Sequence, residues 1–429
     1  MPLLEPSLAQ VNLLLDRRVG DALTPPAPKV IEPTTANLPA APSALRRLLF
    51  VINSLEGGGA ERVFSLLVNS IQPHLARTEI DVLLLDDKRQ RYSISAPVNF
   101  ICLASDGSLR DSARRFKYFL DQRRPDLVMS FLTRANYLAA AFANSYGYRC
   151  LISERSDTSV RLGDGVSGWA KKQLVRLLYP RAHGVIAVSE GIKQSLARDY
   201  GVADSAINVI HNPCDLPQLQ QLAQQTSALA QASFLRDGCI VAAGRLVDSK
   251  RFDLLIRAYA RGGFTQPLVI LGEGPRLKSL QTLAFHLGVA ERVVFAGFLA
   301  NPYSVMARAS VYVLCSELEG FPNSLLEAMG LGLPVIATNC HHGPAEILDE
   351  TIMPNVTGVH QARHGLLIPT GDEKALTEAL RQVLTNPLLK TSLAVRARQR
   401  ATHYTVPATV ARYADAIQQQ LATIQQEAS

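Results

Sequence analysis

Short apolar runs alternate with longer amphipathic segments along this chain of 429 residues, and the whole pattern occurs twice. The runs have the length of buried strands, and the segments between them have the spacing of helices. The sequence predicts strands at 47–52, 80–85, 127–131, 149–153, 184–188 and 207–210, and again at 239–243, 268–271, 293–295, 311–314 and 335–338. This alternation predicts an α/β fold with two Rossmann-like domains on parallel sheets, which bind ligands in the cleft between them.

Shifts in composition indicate the domain boundaries. Residues 46–213 form the predicted first domain, 214–235 a linker rich in Gln, Leu and Ala, and 236–400 the predicted second domain. A helix at 408–426 is expected to pack across the cleft and join the first domain. Residues 1–45 are predicted to be a disordered extension, because 25–42 are rich in Pro, Ala and Thr; 7–19 could form a short helix.

The composition suits two domains with hydrophobic cores, since 47% of the residues are hydrophobic. No apolar run approaches the roughly 20 residues that span a bilayer, and Asp16, Arg17, Arg18 and Asp21 interrupt any secretory signal. The six cysteines form no C-x-x-C pair and are expected to be reduced thiols of a cytoplasmic protein. No His or Cys spacing indicates a metal site, so neither a metal nor another cofactor is expected.

The formal net charge of +7 is concentrated in residues 107–200, where 16 basic side chains stand against 8 acidic ones. Such a patch fits an anionic membrane, an acidic substrate or nucleic acid, but no nucleic-acid-binding motif accompanies it. Within the patch, 109–124 and 169–181 combine basic residues with Phe116, Phe119, Leu120 and Trp169 at helical spacing. These stretches are interpreted either as peripheral helices on the inner leaflet of the plasma membrane or as ordinary helices covering the first sheet.

Three glycines, Gly57, Gly58 and Gly59, follow the first predicted strand and precede a predicted helix. Glycines at such a turn let a ligand approach the backbone, and the free N–H groups of a helix start favour phosphate. The segment fits neither the dinucleotide-binding fingerprint nor the P-loop. A tight chain reversal explains it equally well.

Two cations, Arg245 and Lys250, lie in the loop that begins with Gly244, after the predicted strand at 239–243. At the carboxyl end of a strand they could converge on a diphosphate, with Arg as a planar fork and Lys as a point charge. Taken alone, the loop would be interpreted as ordinary surface charge.

Two carboxylates, Glu319 and Glu327, flank Phe321, Asn323 and Ser324 after the predicted strand at 311–314. Glu319 is expected in a loop facing the cleft, and Glu327 about two turns into a helix whose first N–H groups can face an anion. A Glu327 buried among apolar neighbours needs a hydrogen-bonding partner. Ribose hydroxyls or a nearby Arg could supply it.

These three motifs, in this order, resemble glycosyltransferase family 4, whose members retain the sugar's configuration and have the two-domain GT-B fold. The resemblance covers about residues 47–425. Gly-Gly-Ala-Glu-Arg at 58–62, Glu-Gly-Phe-Pro-Asn at 319–323 and Gly-Pro-Ala-Glu-Ile at 343–347 are most similar to bacterial members that transfer N-acetylhexosamine or hexose to polyprenyl-diphosphate-linked glycans, O-antigen or capsule repeats. The resemblance implies a nucleotide-sugar donor, preferably UDP-linked, and a glycan or polyprenyl-diphosphate-linked acceptor.

The resemblance also implies roles by position. Arg245 and Lys250, in the loop that Gly244 begins, would grip the donor diphosphate, Glu319 would contact the transferred sugar, and Glu327 would hold the ribose. The turn at 57–59 would lie under the phosphates or the sugar, and residues 321–324 would offer backbone N–H groups to the donor.

The first domain departs from the family pattern. Many members carry a histidine after the strand equivalent to 127–131, and this chain has none there. Arg134 and Asn136, with Glu154 and Arg155, are the acceptor-side candidates instead. The implied mechanism needs no protein base, because the leaving diphosphate can take the acceptor proton.

Two alternatives stay open for the function of the whole chain: a nucleotide-sugar 2-epimerase on the same fold, and a non-catalytic sugar-nucleotide-binding protein.

Overall fold

The computed structural model describes residues 46–105, 107–158, 162–163, 165–352 and 354–427. The extension and short helix predicted within residues 1–45 lie outside the described residues. The described chain divides at Pro213 into two compact units. The first unit contains 46–213 together with the C-terminal helix, and the second contains Cys214–Thr405.

Each unit alternates strands with helices, as the apolar pattern predicts. The strands are β1 (Arg46–Ile52), β2 (Thr78–Leu84), β3 (Asn99–Cys102), β4 (Leu127–Phe131), β5 (Arg149–Glu154), β6 (Gly184–Ala187), β7 (Ile207–Val209), β8 (Ile240–Ala243), β9 (Leu268–Leu271), β10 (Val293–Gly297), β11 (Val311–Leu314), β12 (Val335–Thr338), β13 (His360–Gln361) and β14 (Leu366–Ile368). The helices are α1 (Gly59–Ile71), α2 (Leu109–Gln122), α3 (Thr133–Tyr146), α4 (Gly165–Leu178), α5 (Glu190–Tyr200), α6 (Leu216–Gln224), α7 (Phe252–Gly262), α8 (Leu277–His286), α9 (Tyr303–Met306), α10 (Asn323–Gly330), α11 (Pro344–Leu348), α12 (Glu373–Thr385), α13 (Pro387–Ala401) and α14 (Val406–Glu427).

The first sheet has the strand order β3-β2-β1-β4-β5-β6-β7, and its neighbouring strands are all parallel. Its central strands are buried, and every side chain of β4 is inaccessible to water, as expected for a parallel sheet covered on both faces. Helix α14 returns to this unit and packs against α1 and β5. Tyr413 and Ile417 of α14 are completely buried there.

The second sheet has the order β10-β9-β8-β11-β12-β14-β13 and is parallel except for the antiparallel pair β13–β14. The interpretation of 214–235 as a linker is corrected here, because this stretch belongs to the second unit and contains α6. Leu219 of α6 is buried, and Gly330 lets the helix approach closely, since a Cβ there would lie 2.7 Å from the Leu216 side chain.

The strand order reverses once in each sheet, between β1 and β4 in the first and between β8 and β11 in the second. Loops leaving two such strands diverge and open a crevice at the carboxyl edge of the sheet, where ligands of doubly wound sheets bind. The segment 57–59 follows β1 and 133–136 follows β4, while 244–250 follows β8 and Glu319 follows β11. The motif residues of each unit therefore lie at that unit's own switch point.

The α/β class and all the predicted strands are confirmed. Strands β3, β13 and β14 were not predicted, for a physical reason. β3 is an edge strand without a buried side chain, and β13 and β14 are only two and three residues long, so none of them produces a clear hydrophobic period.

Candidate functional site

Lys250 and Glu319 form an ion pair at the switch point of the second sheet. Lys250 ends the short 3-10 turn Asp248–Lys250 in the loop after β8, and Glu319 lies in the loop after β11. The Glu319 side chain is 9% exposed and that of Lys250 is 24% exposed, so salt screens the pair only weakly. The structure thus brings together two of the three residues predicted to act in catalysis.

Backbone and side-chain contacts hold these two loops together. The Glu317 N–H donates to the Ser249 carbonyl at 2.8 Å, and Arg251 pairs with Glu317. The Cys315 thiol donates to the Lys250 carbonyl at 3.2 Å. Burial raises the pKa of Cys315 to about 12, so this neighbour of the site stays a neutral thiol and is not a nucleophile.

Arg245, the third predicted catalytic residue, has an exposed side chain in the same loop. It is therefore available to a ligand without any rearrangement of the core. Gly244 begins the loop, and a Cβ at this position would contact the Lys250 side chain at 3.8 Å.

Two glycines that approach a neighbouring backbone closely shape the site, and no separate role was predicted for either of them. A Cβ on Gly272 would lie 1.9 Å from the Gly244 carbonyl oxygen, and Gly272 has φ 138°. A Cβ on Gly343, which has φ 92°, would lie 2.7 Å from the Gly320 carbonyl oxygen. Only glycine fits such contacts at positive φ, so these positions hold the loops after β8 and β11 in place.

The segment that leads from Glu319 into α10 is anchored by two aromatic side chains. The Phe321 ring is buried and packs edge-on against Tyr404, with 5.3 Å between the ring centroids. The Tyr312 hydroxyl donates to Ser324 Oγ at 2.8 Å. Asn323 and Ser324 are half-buried at the start of α10. No sequence signal could have identified Tyr404, because it is distant in the chain and belongs to no motif.

Two expectations about Glu327 are wrong. Helix α10 begins at Asn323, so Glu327 lies one turn into the helix instead of two. Its side chain is half-buried instead of buried, because only one face of α10 packs into the core. Burial therefore does not force the Glu327 carboxylate into a hydrogen bond with ribose, and the ribose contact stays a prediction.

Gly57, Gly58 and Gly59 connect β1 to α1 in the first unit. A Cβ on Gly57, which has φ 128°, would lie 2.8 Å from the Arg91 side chain, and one on Gly58 would lie 2.3 Å from a Glu61 carboxylate oxygen. These contacts explain why Gly57 and Gly58 are glycines even if no ligand binds at this turn. Gly59 begins the helix and is exposed.

Three of the four acceptor-side candidates are buried in a polar network inside the first unit. Asn136 accepts from Ser130 Oγ at 2.8 Å and donates to the Ser153 carbonyl at 3.1 Å. The Tyr179 hydroxyl donates to Glu154 at 2.6 Å and lies 3.1 Å from the Asn136 amide nitrogen. Asn136 and Glu154 have no exposed surface, which argues against direct contact with an acceptor.

The two arginine candidates are also engaged within the unit. Arg155 is 9% exposed; it donates to the Tyr413 hydroxyl at 2.9 Å, and to Asn212. Its role in this structure is to bind α14 to the sheet. Arg134 is half-buried and forms an ion pair with Asp86, and it remains the acceptor-side candidate nearest to solvent.

The two basic stretches of the first unit, 109–124 and 169–181, differ in whether their aromatic side chains are buried. In α2, Phe116 and Leu120 are completely buried and Phe119 is 8% exposed, because this face packs on α3. The interpretation of 109–124 as a membrane-facing helix is therefore wrong. In α4, by contrast, Trp169 is exposed. Within the described residues, no helix has both the length and the apolar character needed to span a bilayer.

The described part of the chain contains no group of three or more His, Cys, Asp or Glu side chains arranged to hold a metal ion. The six cysteines are all unpaired with one another, and five are buried. The site in the second unit combines two cations, Arg245 and Lys250, with the carboxylates of Glu319 and Glu327.

Comparison with solved structures identifies the architecture. The crystal structure of Anabaena HepE in complex with UDP and glucose superposes with a TM-score of 0.73 over 87% of this chain and all of that one, at 21% identity. Sucrose-phosphate synthase from Thermosynechococcus elongatus gives 0.73 over 88% of this chain at 19% identity. Two Rossmann-like units with this likeness define the GT-B fold.

Sequence comparison identifies the family. Residues 57–218 match the model "Glycosyltransferase Family 4", and 227–402 match "Glycosyl transferases group 1". These two models between them cover most of the chain, which belongs to family 4 of the glycosyltransferases, enzymes that transfer a sugar to an acceptor.

Two curated bacterial relatives are named as transferases that act on a lipid-linked glycan or on lipopolysaccharide. The chain is 28% identical over 368 residues, 83% of its length and 95% of the relative's, to the N-acetylgalactosamine-N,N'-diacetylbacillosaminyl-diphospho-undecaprenol 4-alpha-N-acetylgalactosaminyltransferase of Campylobacter jejuni. It is 32% identical over 177 residues, 40% of its length and 46% of the relative's, to the lipopolysaccharide 1,6-galactosyltransferase of Escherichia coli.

Proposed function

We propose that this glycosyltransferase moves a hexose or N-acetylhexosamine from a UDP-sugar to a polyprenyl-diphosphate-linked or other cell-surface glycan, with retention of configuration at the anomeric carbon. The observation that carries this proposal is the Lys250–Glu319 pair at the switch point of the second sheet, with Arg245 exposed in the same loop. A cationic group and a carboxylate in one place match a donor that has a diphosphate at one end and sugar hydroxyls at the other.

The chemistry follows from where charge develops. As the bond between sugar and diphosphate breaks, negative charge grows on the leaving diphosphate. Arg245 and Lys250 stabilise this charge, and they act most strongly in the transition state. Glu319 accepts hydrogen bonds from the sugar hydroxyls and orients the sugar. The departing diphosphate takes the acceptor proton on the same face, so the acceptor attacks from the side that the leaving group vacates and configuration is retained.

The choice of substrates draws on the relatives. The C. jejuni relative is named for transfer to a diphospho-undecaprenol-linked glycan, and the HepE structure contains UDP and glucose. A UDP-linked donor and a lipid-linked acceptor are therefore the first choices for this chain. Nucleotide sugars are cytoplasmic, so we place the reaction in the cytoplasm at the inner leaflet of the plasma membrane.

A two-stage experiment tests the proposal. Nucleotide sugars are first screened for protection against thermal unfolding, because a ligand at 100 times its dissociation constant adds about 2.7 kcal/mol of stability. UDP-hexoses and UDP-N-acetylhexosamines that protect are then incubated with undecaprenyl-diphosphate-linked glycans, and NMR of the product reads the anomeric configuration.

Three outcomes would contradict the proposal. Protection by a nucleotide sugar without transfer to any lipid-linked or polysaccharide acceptor would favour a binding protein. Conversion of the donor to its 2-epimer without an acceptor would favour an epimerase. A product of inverted configuration would exclude the same-face mechanism.

A further inference from the structure

Arg251, the residue after Lys250, departs from two local preferences at the start of α7. Its backbone lies in the left-handed region, with φ 48° and ψ 41°, where any residue other than glycine is strained. It also places a cation at the N-terminus of α7, although the helix dipole favours an anion there. Contacts of the Arg251 side chain therefore have to offset both of these unfavourable terms.

The Arg251 guanidinium joins the loop after β8 to the loop after β11. Its Nε and Nη2 donate to the two carboxylate oxygens of Asp253 at 3.1 and 3.2 Å, and its Nη1 donates to Glu317. A planar guanidinium can hold two carboxylates at once in this way, whereas an ammonium group is a point charge. Arg251 therefore keeps both Asp253 and Glu317 paired.

Glu317 contacts both neighbours of Lys250 in the chain. Its backbone N–H donates to the Ser249 carbonyl at 2.8 Å, and its carboxylate pairs with Arg251. The Glu317 side chain is 50% exposed, whereas that of Glu319 is 9% exposed. Because the stem of a lysine is long and flexible, Glu317 is a competing partner for the Lys250 ammonium group, and it is the more accessible of the two carboxylates.

We infer that Arg251 is a positioning residue: by occupying Glu317 it leaves Lys250 to pair with Glu319, at the place where the diphosphate is proposed to bind. Without Arg251, Lys250 divides between Glu317 and Glu319, and a smaller fraction of the protein presents its ammonium group to the leaving group. Asp253 is a weaker competitor, because the helix dipole stabilises its charge at the start of α7 even without Arg251. This inference rests on the proposed function, since the pairing affects catalysis only if Lys250 stabilises the leaving diphosphate.

Arg251→Gly is the first test variant, because glycine adopts the left-handed conformation and only the side chain is lost. We expect kcat for sugar transfer to fall about tenfold while KM for the donor changes by less than about threefold, because Lys250 acts on charge that develops in the transition state. The midpoint of thermal unfolding should move by less than about 4 °C, because relief of the backbone strain offsets the lost ion pairs. Arg251→Asn, which also tolerates this conformation, should behave in the same way. A kcat near that of wild type in both variants would overturn the inference.

Glu317→Gln separates partner selection from simple tethering of the two loops. If Arg251 acts by withholding Glu317 from Lys250, Glu317→Gln alone should keep kcat within about threefold of wild type, and Glu317→Gln added to Arg251→Gly should recover most of the lost kcat. If Arg251 only ties the loops together, Glu317→Gln should be as damaging as Arg251→Gly and should rescue nothing; either result overturns the inference. Arg261→Gln, which removes an ion pair with Glu373 at the other end of α7, is the matched control and should leave kcat unchanged.

Crystal structures of the same variants report the pairing independently of activity. In Arg251→Gly, the Lys250 Nζ should lie within about 4 Å of a Glu317 carboxylate oxygen in all or part of the molecules, and with Glu317→Gln added it should return to Glu319. If Lys250 stays on Glu319 alone in Arg251→Gly, the inference is wrong and the proposed function stands. If the pairing changes as expected but the wild-type protein transfers sugar from no donor, the proposed function fails instead.

Discussion

Lys250 and Glu319 form an ion pair at the carboxyl edge of the second sheet. Because both side chains are largely sheltered from water, changing one leaves the other with an unbalanced charge, which costs stability as well as function. A loss of activity after a single substitution here therefore has to be separated from a loss of folded protein. Arg245 is exposed and is free of this complication.

Arg245→Ala and Lys250→Ala should each lower kcat by about 10² or more. The estimate follows the roughly 2.7–4 kcal/mol that one preorganised donor contributes to a developing anion, and the effect falls on kcat because the leaving-group charge is largest in the transition state. Steady-state kinetics with the donor identified by the screen measures it. Arg261→Ala, at the far end of α7, is the control and should stay within a fewfold of wild type.

Folding controls accompany the Lys250 variant. Lys250→Ala combined with Glu319→Ala should recover part of the stability that Lys250→Ala alone loses, while activity remains low. If Arg245→Ala and Lys250→Ala both fold and turn over at near-normal rates, the assignment of the diphosphate site is wrong.

Transfer should proceed without a divalent metal, because Arg245 and Lys250 place two cationic side chains where the diphosphate is proposed to bind. Activity assayed in excess EDTA should equal activity in buffer. Inactivation by EDTA that Mg²⁺ or Mn²⁺ reverses would show that a metal ion carries part of the leaving-group charge.

Gly272→Ala should be strongly destabilising, by about 3 kcal/mol or more, because its Cβ would collide with the Gly244 carbonyl in addition to the strain at φ 138°. Gly288→Ala is the matched control: Gly288 also has positive φ, 68°, but a Cβ there meets nothing within 4 Å. This control substitution should lower the free energy of unfolding by only about 1–2 kcal/mol. Thermal unfolding of both variants measures the two losses of stability. If Gly272→Ala and Gly288→Ala lose similar amounts, the predicted collision at Gly272 is contradicted.

The buried Tyr179 should make the first unit lose stability at high pH. Burial, and then the Glu154 carboxylate, raise the pKa of Tyr179 well above its ordinary value of about 10. As the pH rises, the unfolded chain therefore releases this proton before the folded protein does. The contribution of Tyr179 to the free energy of unfolding is complete below about pH 10 and is lost between pH 10 and the folded-state pKa. The loss should be up to about 1.4 kcal/mol per pH unit.

Urea unfolding followed by Trp169 fluorescence reports on this unit between pH 9 and 11.5. Tyr179→Phe should lower the stability at pH 9 but flatten the alkaline slope. The other buried tyrosines titrate in both proteins, so the difference isolates Tyr179. Parallel curves for the two proteins would count against this assignment.

The sequence by itself determined the α/β class, the two series of strands and the order of the motifs. These features are local, because hydrophobic spacing reports which side chains are buried whatever they are buried against. The same locality explains why Lys250 and Glu319 could be identified as candidates: each follows a strand, and the carboxyl ends of parallel strands share one edge of a sheet.

Only the tertiary structure decided which polar residues are accessible and which amphipathic helices face water. Asn136 and Arg134 follow the same strand. Asn136 is buried and hydrogen-bonded to Tyr179, whereas Arg134 is half-buried and forms an ion pair with Asp86. Helices α2 and α4 have similar basic patterns, but α2 packs its aromatic face against α3 while Trp169 of α4 remains exposed. A helical period identifies two faces, and only contacts between distant parts of the chain determine which of them is covered.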